Sequence, residues 1–161
     1  MKKVFIISLS LFIGMATLTG MVPFMGEEIK AVSFRPKPII KGTLNGKKAY
    51  FLLDSGADVT LLDESTAENF GFKTVKVPGA NKIQGVNRGA HEVEEAKKAE
   101  MKLGTQHIKY QFKTFNISHL ANSIMNKTGY RICGIIGSDV MKKYGFIIDY
   151  SNHKVLIQKT R

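Results

Sequence analysis

Hydrophobic and polar positions alternate along the chain in short runs that predict a mostly β protein. Apolar residues at Ile39–Leu44 and at 49–53 flank the dipeptide Asn45-Gly46. Asn-Gly between two apolar runs is a strong signal for a two-residue hairpin turn, because a type I′ turn needs positive φ at both positions. The pattern therefore predicts a hairpin whose second strand ends directly before Asp54.

The rest of the pattern predicts further short strands with two or three short helices between them. Strands are predicted at residues 91–103, 107–117, 132–136, 146–150 and 155–157, and helices at residues 64–70, 119–126 and 139–144. Asp63 is the expected N-cap of the first helix, and Gly71 its end. Residues 81–89 are rich in turn formers and are expected to form an exposed hairpin tip. These elements favour one domain built as a small closed barrel.

The N-terminal residues differ in character from the rest of the chain. A short basic start, Met1-Lys2-Lys3, is followed by an apolar run at residues 4–15 and by small residues, and the stretch stays uncharged to Met25. This is typical of a secretory signal, and the stretch is also long enough to span a bilayer if it is not cleaved. We expect residues 1–30 to be a signal peptide or a membrane anchor, and residues 31–161 to be the folded domain. The protein is then exported to the periplasm or the cell exterior, or it stays anchored to the membrane.

Composition narrows the possible partners and cofactors. The chain has 24 basic and 13 acidic residues, a formal net charge of +11, but the basic residues are scattered as singles and pairs. Without a long basic run, this charge favours anionic partners in general and gives no support for a nucleic-acid partner. Cys133 lies in an apolar run and is expected to be a buried hydrophobe rather than a nucleophile. The four histidines show no metal-ligand spacing, so neither a metal nor another cofactor is expected.

One stretch carries candidate chemistry: an apolar strand that runs directly into Asp54-Ser55-Gly56-Ala57-Asp58. A buried carboxylate is costly unless it is paired and hydrogen-bonded, so this charge needs a reason. Asp-Ser-Gly alone is a weak signal, but Ile135-Ile136-Gly137 follows far downstream, and a glycine-bearing hairpin tip lies between the two. With these three features the chain resembles the retroviral-type (retropepsin-like) aspartic proteases over about residues 38–158.

The resemblance implies an aspartic endopeptidase that acts on polypeptide substrates, with Asp54 as the catalytic residue. Two carboxylates at close range cannot both ionise, so one activates a water molecule while the other protonates the scissile carbonyl. The chain has one such loop: Asp149 is expected only to open a turn, and Asp139 to cap a helix. The second carboxylate should therefore be Asp54 of another copy, in a symmetric homodimer.

The resemblance also implies roles for the neighbouring residues. Active-site loop support would come from Ser55, Gly56 and Ala57, and substrate binding from Asp58, Ile83, Gly85, Val86, Ile136 and Gly137. Of these, Ile83, Gly85 and Val86 would belong to a flap that covers the substrate and excludes water. Viral members usually carry arginine where this chain has Ser138, so the dimer is expected to be weaker or built in another way.

Other interpretations of the same residues stay open. The alternative role for Asp58 is a bond to a local backbone amide, and the alternative for residues 81–89 is an ordinary surface hairpin. The main alternative function is a catalytically inactive dimer of the same fold that binds a peptide or a protein partner. A third is a membrane-anchored surface protein that binds through its positive charge.

Overall fold

The computed structural model describes residues 26–77, 82–84 and 90–158, which form fifteen strands and three α-helices. The strands are β1 (Gly26–Ile29), β2 (Ala31–Ser33), β3 (Ile39–Leu44), β4 (Lys47–Leu53), β5 (Leu61–Asp63), β6 (Lys73–Val75), β7 (Lys82–Gln84), β8 (Ala90–Glu92), β9 (Glu94–Lys97), β10 (Met101–Leu103), β11 (Gln106–Ile108), β12 (Lys113–Phe115), β13 (Gly134–Ile136), β14 (Ile147–Asp149) and β15 (Lys154–Gln158). The helices are α1 (Ala67–Phe70), which follows a 3₁₀ turn at Glu64–Thr66, α2 (Ser118–Thr128) and α3 (Ser138–Lys143). In these ranges no helix has both the length and the apolar character needed to cross a membrane.

The mostly β class expected from the sequence is confirmed, but the closed barrel is not formed. The largest sheet has the order β11-β10-β3-β4-β13-β5-β12-β9-β6, with β2 added beside β3. Closure would require its two outer strands to pair, and within the described residues β11 pairs with β10 and β6 with β9. Separate small sheets are formed by β1, β15 and β14 and by β7 and β8.

The hairpin predicted at Asn45-Gly46 is confirmed, and its turn is tied to two other parts of the fold. Asn45 and Gly46 have φ values of 48° and 76°, as a type I′ turn requires. The Asn45 side chain donates to the carbonyls of Phe70 (3.0 Å) and Lys98 (2.8 Å), and it accepts the Glu100 amide (2.7 Å). The turn thus fixes the end of α1 and the loop between β9 and β10.

Two apolar clusters hold the large sheet, and the strands β4 and β13 contribute to both. Phe51, Leu53 and Ile136 belong to the larger cluster, whereas Leu52 and Ile135 belong to the smaller one. Successive side chains of a strand point to opposite faces of its sheet, so this division is the expected one. Helix α2 covers the smaller cluster with its buried residues. Both faces of β13 and of the last part of β4, residues 51–53, are therefore buried, which explains the uninterrupted apolar sequence of these segments.

The long strands predicted at residues 91–103 and 107–117 were wrong in extent. The first is divided into β8, β9 and β10, and the second into β11 and β12. Lys98 has a φ of 60° and turns the chain between β9 and β10, which then pair with different neighbours. The predicted turn at Gly104-Thr105 is correct, since Leu103 pairs with Gln106 across it.

The N-terminal boundary also differs from the expectation. Strand β1 pairs antiparallel with β15, and Ile29 is buried in the larger cluster. Residues 26–29 therefore belong to the folded unit, although the sequence pattern set the boundary after residue 30. Residues 1–25, which carry the expected signal or anchor, lie outside the described residues.

Replacement of Asn45 by glycine should destabilise the fold by about 2 kcal/mol, because three side-chain hydrogen bonds are lost while the turn geometry stays accessible. Asn45→Asp keeps the acceptor for the Glu100 amide but places a carboxylate oxygen against the carbonyls of Phe70 and Lys98, so its loss should be at least as large. Urea unfolding of the full chain, followed by circular dichroism, measures both effects. Equal stability of Asn45→Gly and the wild type would contradict the assignment.

Candidate active site

Asp54 lies at the end of β4, and strand β13 fixes the backbone there. β13 lies between the two strands that flank the Asp54 loop, parallel to β4 and antiparallel to β5. The Asp54 amide donates to the Ile136 carbonyl (3.0 Å), which extends the parallel pairing by one residue. The downstream Ile-Ile-Gly motif and the Asp-Ser-Gly loop are therefore brought side by side.

The backbone of Gly137 packs directly against the Asp54 loop. A Cβ atom at Gly137 would lie 2.8 Å from the Ala57 carbonyl oxygen and 2.8 Å from the Val59 carbonyl carbon. The Ala57 carbonyl accepts the Ser138 amide (2.7 Å), so the two segments are also hydrogen-bonded. Only glycine allows this approach, which gives a physical reason for the residue that the sequence pattern singled out.

The loop itself folds back on the Asp54 side chain. Its Oδ1 atom accepts the Gly56 amide (3.0 Å), and its main-chain carbonyl accepts the Ala57 amide (3.0 Å). The Asp54 side chain remains 22% exposed. The charge at the end of a buried strand is thus tolerated because the carboxylate reaches solvent and has donors close by.

Lys37 is a neighbour of Asp54 that the sequence analysis missed. Its Nζ atom lies 2.5 Å from Asp54 Oδ1. The hairpin register explains the contact: Ile39 pairs with Leu52, and continuing this register places position 37 opposite position 54. The Asn-Gly turn fixed that register, so the contact could have been found from the sequence.

A hydrogen-bond network behind the loop joins Thr60, Asp139 and Tyr110. Asp139 Oδ1 accepts the Thr60 hydroxyl (2.6 Å), and Oδ2 accepts the Thr60 amide (2.8 Å) and the Tyr110 hydroxyl (2.7 Å). Thr60 Oγ1 in turn accepts the Gly137 amide (2.9 Å). Sequence reasoning missed Thr60 and Tyr110, because neither stands in a recognisable motif and the contacts are long-range.

The expected helix-capping role of Asp139 was wrong. Gly137 is the N-cap of α3, and Asp139 is the second residue of the helix. Burial alone would raise the pKa of Asp139, but the hydrogen bonds from Thr60 and Tyr110 outweigh it and lower the pKa below the ordinary value of 3.8. Burial and the Asp139 carboxylate raise the pKa of Tyr110 to about 12, so its hydroxyl remains a donor.

The structure places the expected substrate-binding residues unevenly. Asp58 is exposed on the loop, and Ile83 lies in β7, paired with His91 of β8. Gly85 and Val86, expected at the flap tip, lie outside the described residues. The two strands of the hairpin that would carry the flap, β7 and β8, are formed and pair with each other.

Ile136 and Gly137 are buried in the single chain, and their substrate-binding role stays a prediction. The Ile136 side chain is 0% exposed and packs in the larger apolar cluster. Gly137 is buried against the loop backbone. The backbone of both residues holds the Asp54 loop in position. In the loop itself, Ser55 and Gly56 are exposed, and Ala57 is half-buried.

Two expectations about other reactive side chains are confirmed. Asp149 accepts the Asn152 amide (2.9 Å) and so opens the turn before β15. Cys133 is buried, and its burial raises the pKa of the thiol to about 12. Burial therefore disfavours the thiolate, the nucleophilic form, at neutral pH.

Replacement of Asp139 by asparagine should destabilise the fold by about 2 kcal/mol at neutral pH, because an amide cannot accept all the bonds that the carboxylate accepts. Because folding lowers the pKa of Asp139, its carboxylate stabilises the fold above pH 3.8, and this contribution is lost as the pH falls. The difference in unfolding free energy between Asp139→Asn and the wild type should therefore shrink at pH 3. Urea unfolding at pH 7 and pH 3 measures it, with Asp58→Asn on the exposed loop as the control. A gap of the same size at both pH values would contradict the charged network.

Comparisons with known proteins agree with this geometry. The sequence model of the family described as aspartyl protease matches residues 40–140, a range that holds both the Asp54 loop and Gly137. No match is found among curated proteins. Among solved structures, EIAV protease complexed with the inhibitor HBY-793 is similar with a TM-score of 0.50 and 19% identity, over 69% of this chain and 90% of that chain.

Two further solved structures are similar at lower TM-scores. A retropepsin-like aspartic protease from Rickettsia conorii has a TM-score of 0.49 and 16% identity, over 82% of this chain and 89% of that chain. The retroviral protease-like domain of Ddi1 from Leishmania major has a TM-score of 0.45 and 19% identity, over 75% of this chain and 93% of that chain. Because the family match spans well over half of the chain, the protein belongs to the aspartyl protease family, and its fold is retropepsin-like.

Proposed function

We propose that the protein is an aspartic endopeptidase that hydrolyses peptide bonds as a homodimer, with one Asp54 from each copy. The observation that carries this proposal is a partly exposed carboxylate on a loop whose backbone is held by β13 and by the close contact with Gly137. A catalytic group must be positioned with little freedom, and this loop meets that requirement. Membership of the aspartyl protease family supports the same reaction.

In the proposed reaction, one Asp54 carboxylate removes a proton from a water molecule, whose oxygen attacks the scissile carbonyl carbon. The other Asp54, protonated at the start, donates its proton to the carbonyl oxygen. The proton taken from water then passes to the leaving nitrogen as the carbon–nitrogen bond breaks. The second carboxyl regains its proton from the intermediate, so the pair ends in its starting state.

The loop residues would assist this pair in different ways. The Gly56 amide already donates to Oδ1 of Asp54 and fixes its orientation. Asp58 is exposed at the end of the loop, where its carboxylate is accessible to backbone amides of an extended substrate. Ser55, also exposed, would bind across the dimer, and Ile83 with Gly85 and Val86 would supply the flap.

The contact between Lys37 and Asp54 favours a second candidate function. An ammonium group 2.5 Å from Oδ1 neutralises the carboxylate charge, and a proton shared between two Asp54 groups needs no such partner. For catalysis, Lys37 must leave Asp54 when the partner's carboxylate approaches. If the ion pair persists in the dimer, the protein is a catalytically inactive module that binds peptides.

Replacement of Asp54 by asparagine should lower peptide cleavage by at least about a hundredfold, because the variant cannot act as acid or base. The full chain in a mild detergent is incubated with a diverse peptide mixture from acid to neutral pH, and the products are identified by mass spectrometry. Asp149→Asn, the same change at a turn, should retain all cleavages. Cleavage that survives in Asp54→Asn, or no cleavage by the wild-type dimer, would contradict the protease proposal.

Mixing experiments test whether two copies form one site. If each site needs two intact Asp54 residues, an equimolar mixture of wild type and Asp54→Asn should retain roughly a quarter of the activity of the same total amount of wild type. Random exchange of subunits gives this fraction, and it is measured after unfolding and refolding the two chains together. Half of the activity would instead indicate a site that is complete in one chain.

A further inference from the structure

A groove with a basic lining lies apart from Asp54, between the β9–β10 loop, the segment that joins β11 to β12, and the end of α3. Its volume is about 600 Å³. The charged residues that line it are Lys97, Lys98, Lys109, Lys143 and Glu100, a net of three positive charges. Glu95 does not line the groove, and it pairs with the groove residue Lys97 (2.7 Å) and with Lys113 (3.0 Å), which lies outside the groove.

Two of these lysines have no carboxylate partner, and a third is held in place by uncharged groups. Lys98 and Lys109 are exposed, and no carboxylate of a described residue lies within ion-pair distance of either. Lys143 donates to the Lys109 carbonyl (2.7 Å) and lies over the rings of Tyr110 (5.6 Å) and Tyr144 (5.7 Å). A positive charge that is fixed before binding loses less entropy when an anion arrives.

The fold also fixes the shape of this groove. The Asn45 side chain binds the Lys98 carbonyl and the Glu100 amide, so the loop with its positive-φ residue Lys98 is held from below. On the opposite wall, the Tyr110 hydroxyl donates to Asp139, which binds Thr60 behind the Asp54 loop. The groove wall and the candidate active site therefore share one hydrogen-bond network.

We propose that this groove binds an acidic stretch of the polypeptide substrate, at a site separate from the scissile bond. The uncompensated lysines favour carboxylate side chains, and the alanine and tyrosine side chains between them offer apolar contact to an extended peptide. The Tyr110 ring is committed to Lys143 and, through its hydroxyl, to Asp139, so it is not available to stack on a nucleic-acid base. The proposal rests on the proposed function only in taking a polypeptide as the ligand.

Binding is tested without cleavage, so that its failure is distinct from failure of the protease proposal. A fluorescein-labelled peptide of six glutamates spaced by glycine and serine is titrated with full-length Asp54→Asn, and its anisotropy is followed. The same peptide with glutamine should bind at least about tenfold more weakly, because the carboxylates supply the attraction. Lys98→Glu/Lys109→Glu should also weaken binding of the glutamate peptide about tenfold.

The matched control is Lys30→Glu/Lys127→Glu, which makes the same change in net charge at two exposed lysines outside the groove. Its effect should be under about twofold, since distant exposed charges are screened by salt. Circular dichroism confirms that both double variants are folded. Equal losses in the two double variants, or no binding of the glutamate peptide, would overturn the proposal. The proposal would also be overturned if Lys98→Glu/Lys109→Glu lost binding to phosphatidylglycerol vesicles but kept its binding to the glutamate peptide.

Discussion

The candidate site depends on the contact between the backbone of Gly137 and the backbone of the Asp54 loop. Parallel pairing of β4 and β13 brings the two segments together, and the missing side chain of Gly137 lets them touch. The amides of Asp54 and Ser138 then bind carbonyls across the contact. Main-chain contacts of this kind hold a loop more firmly than side chains on the surface do, because the buried strands on both sides cannot shift independently.

This arrangement also explains how an apolar strand can end on a charge. Both faces of β4 are buried over residues 51–53, yet the chain emerges from the sheet at Asp54, where solvent, Gly56 and Lys37 all reach the carboxylate. The rigidity comes from the strands, and the proposed reactivity comes from the residue just beyond them. The same division holds behind the loop, where the Asp139 carboxylate fixes Thr60 and links the loop to the wall of the basic groove.

Local signals in the sequence were sufficient for the hairpin, the end of α1 and the helix α2. Each depends on neighbouring residues or on a motif with a backbone requirement, such as positive φ at Gly46 and Gly71. The errors concern non-local geometry. Strand lengths near Lys98 depend on which neighbours the strands pair with. The Lys37 contact follows from the hairpin register when the register is continued two residues beyond the pair of Ile39 and Leu52.

The central claim is that one active site needs two chains, and the most direct measurement compares activity with assembly in the same samples. Peptide cleavage per chain is measured over a dilution series of the full chain, and sedimentation velocity gives the dimer fraction at each concentration. If each active site needs two chains, cleavage per chain rises and falls in proportion to the dimer fraction. Cleavage per chain that stays constant down to concentrations at which the protein sediments as a monomer would contradict it.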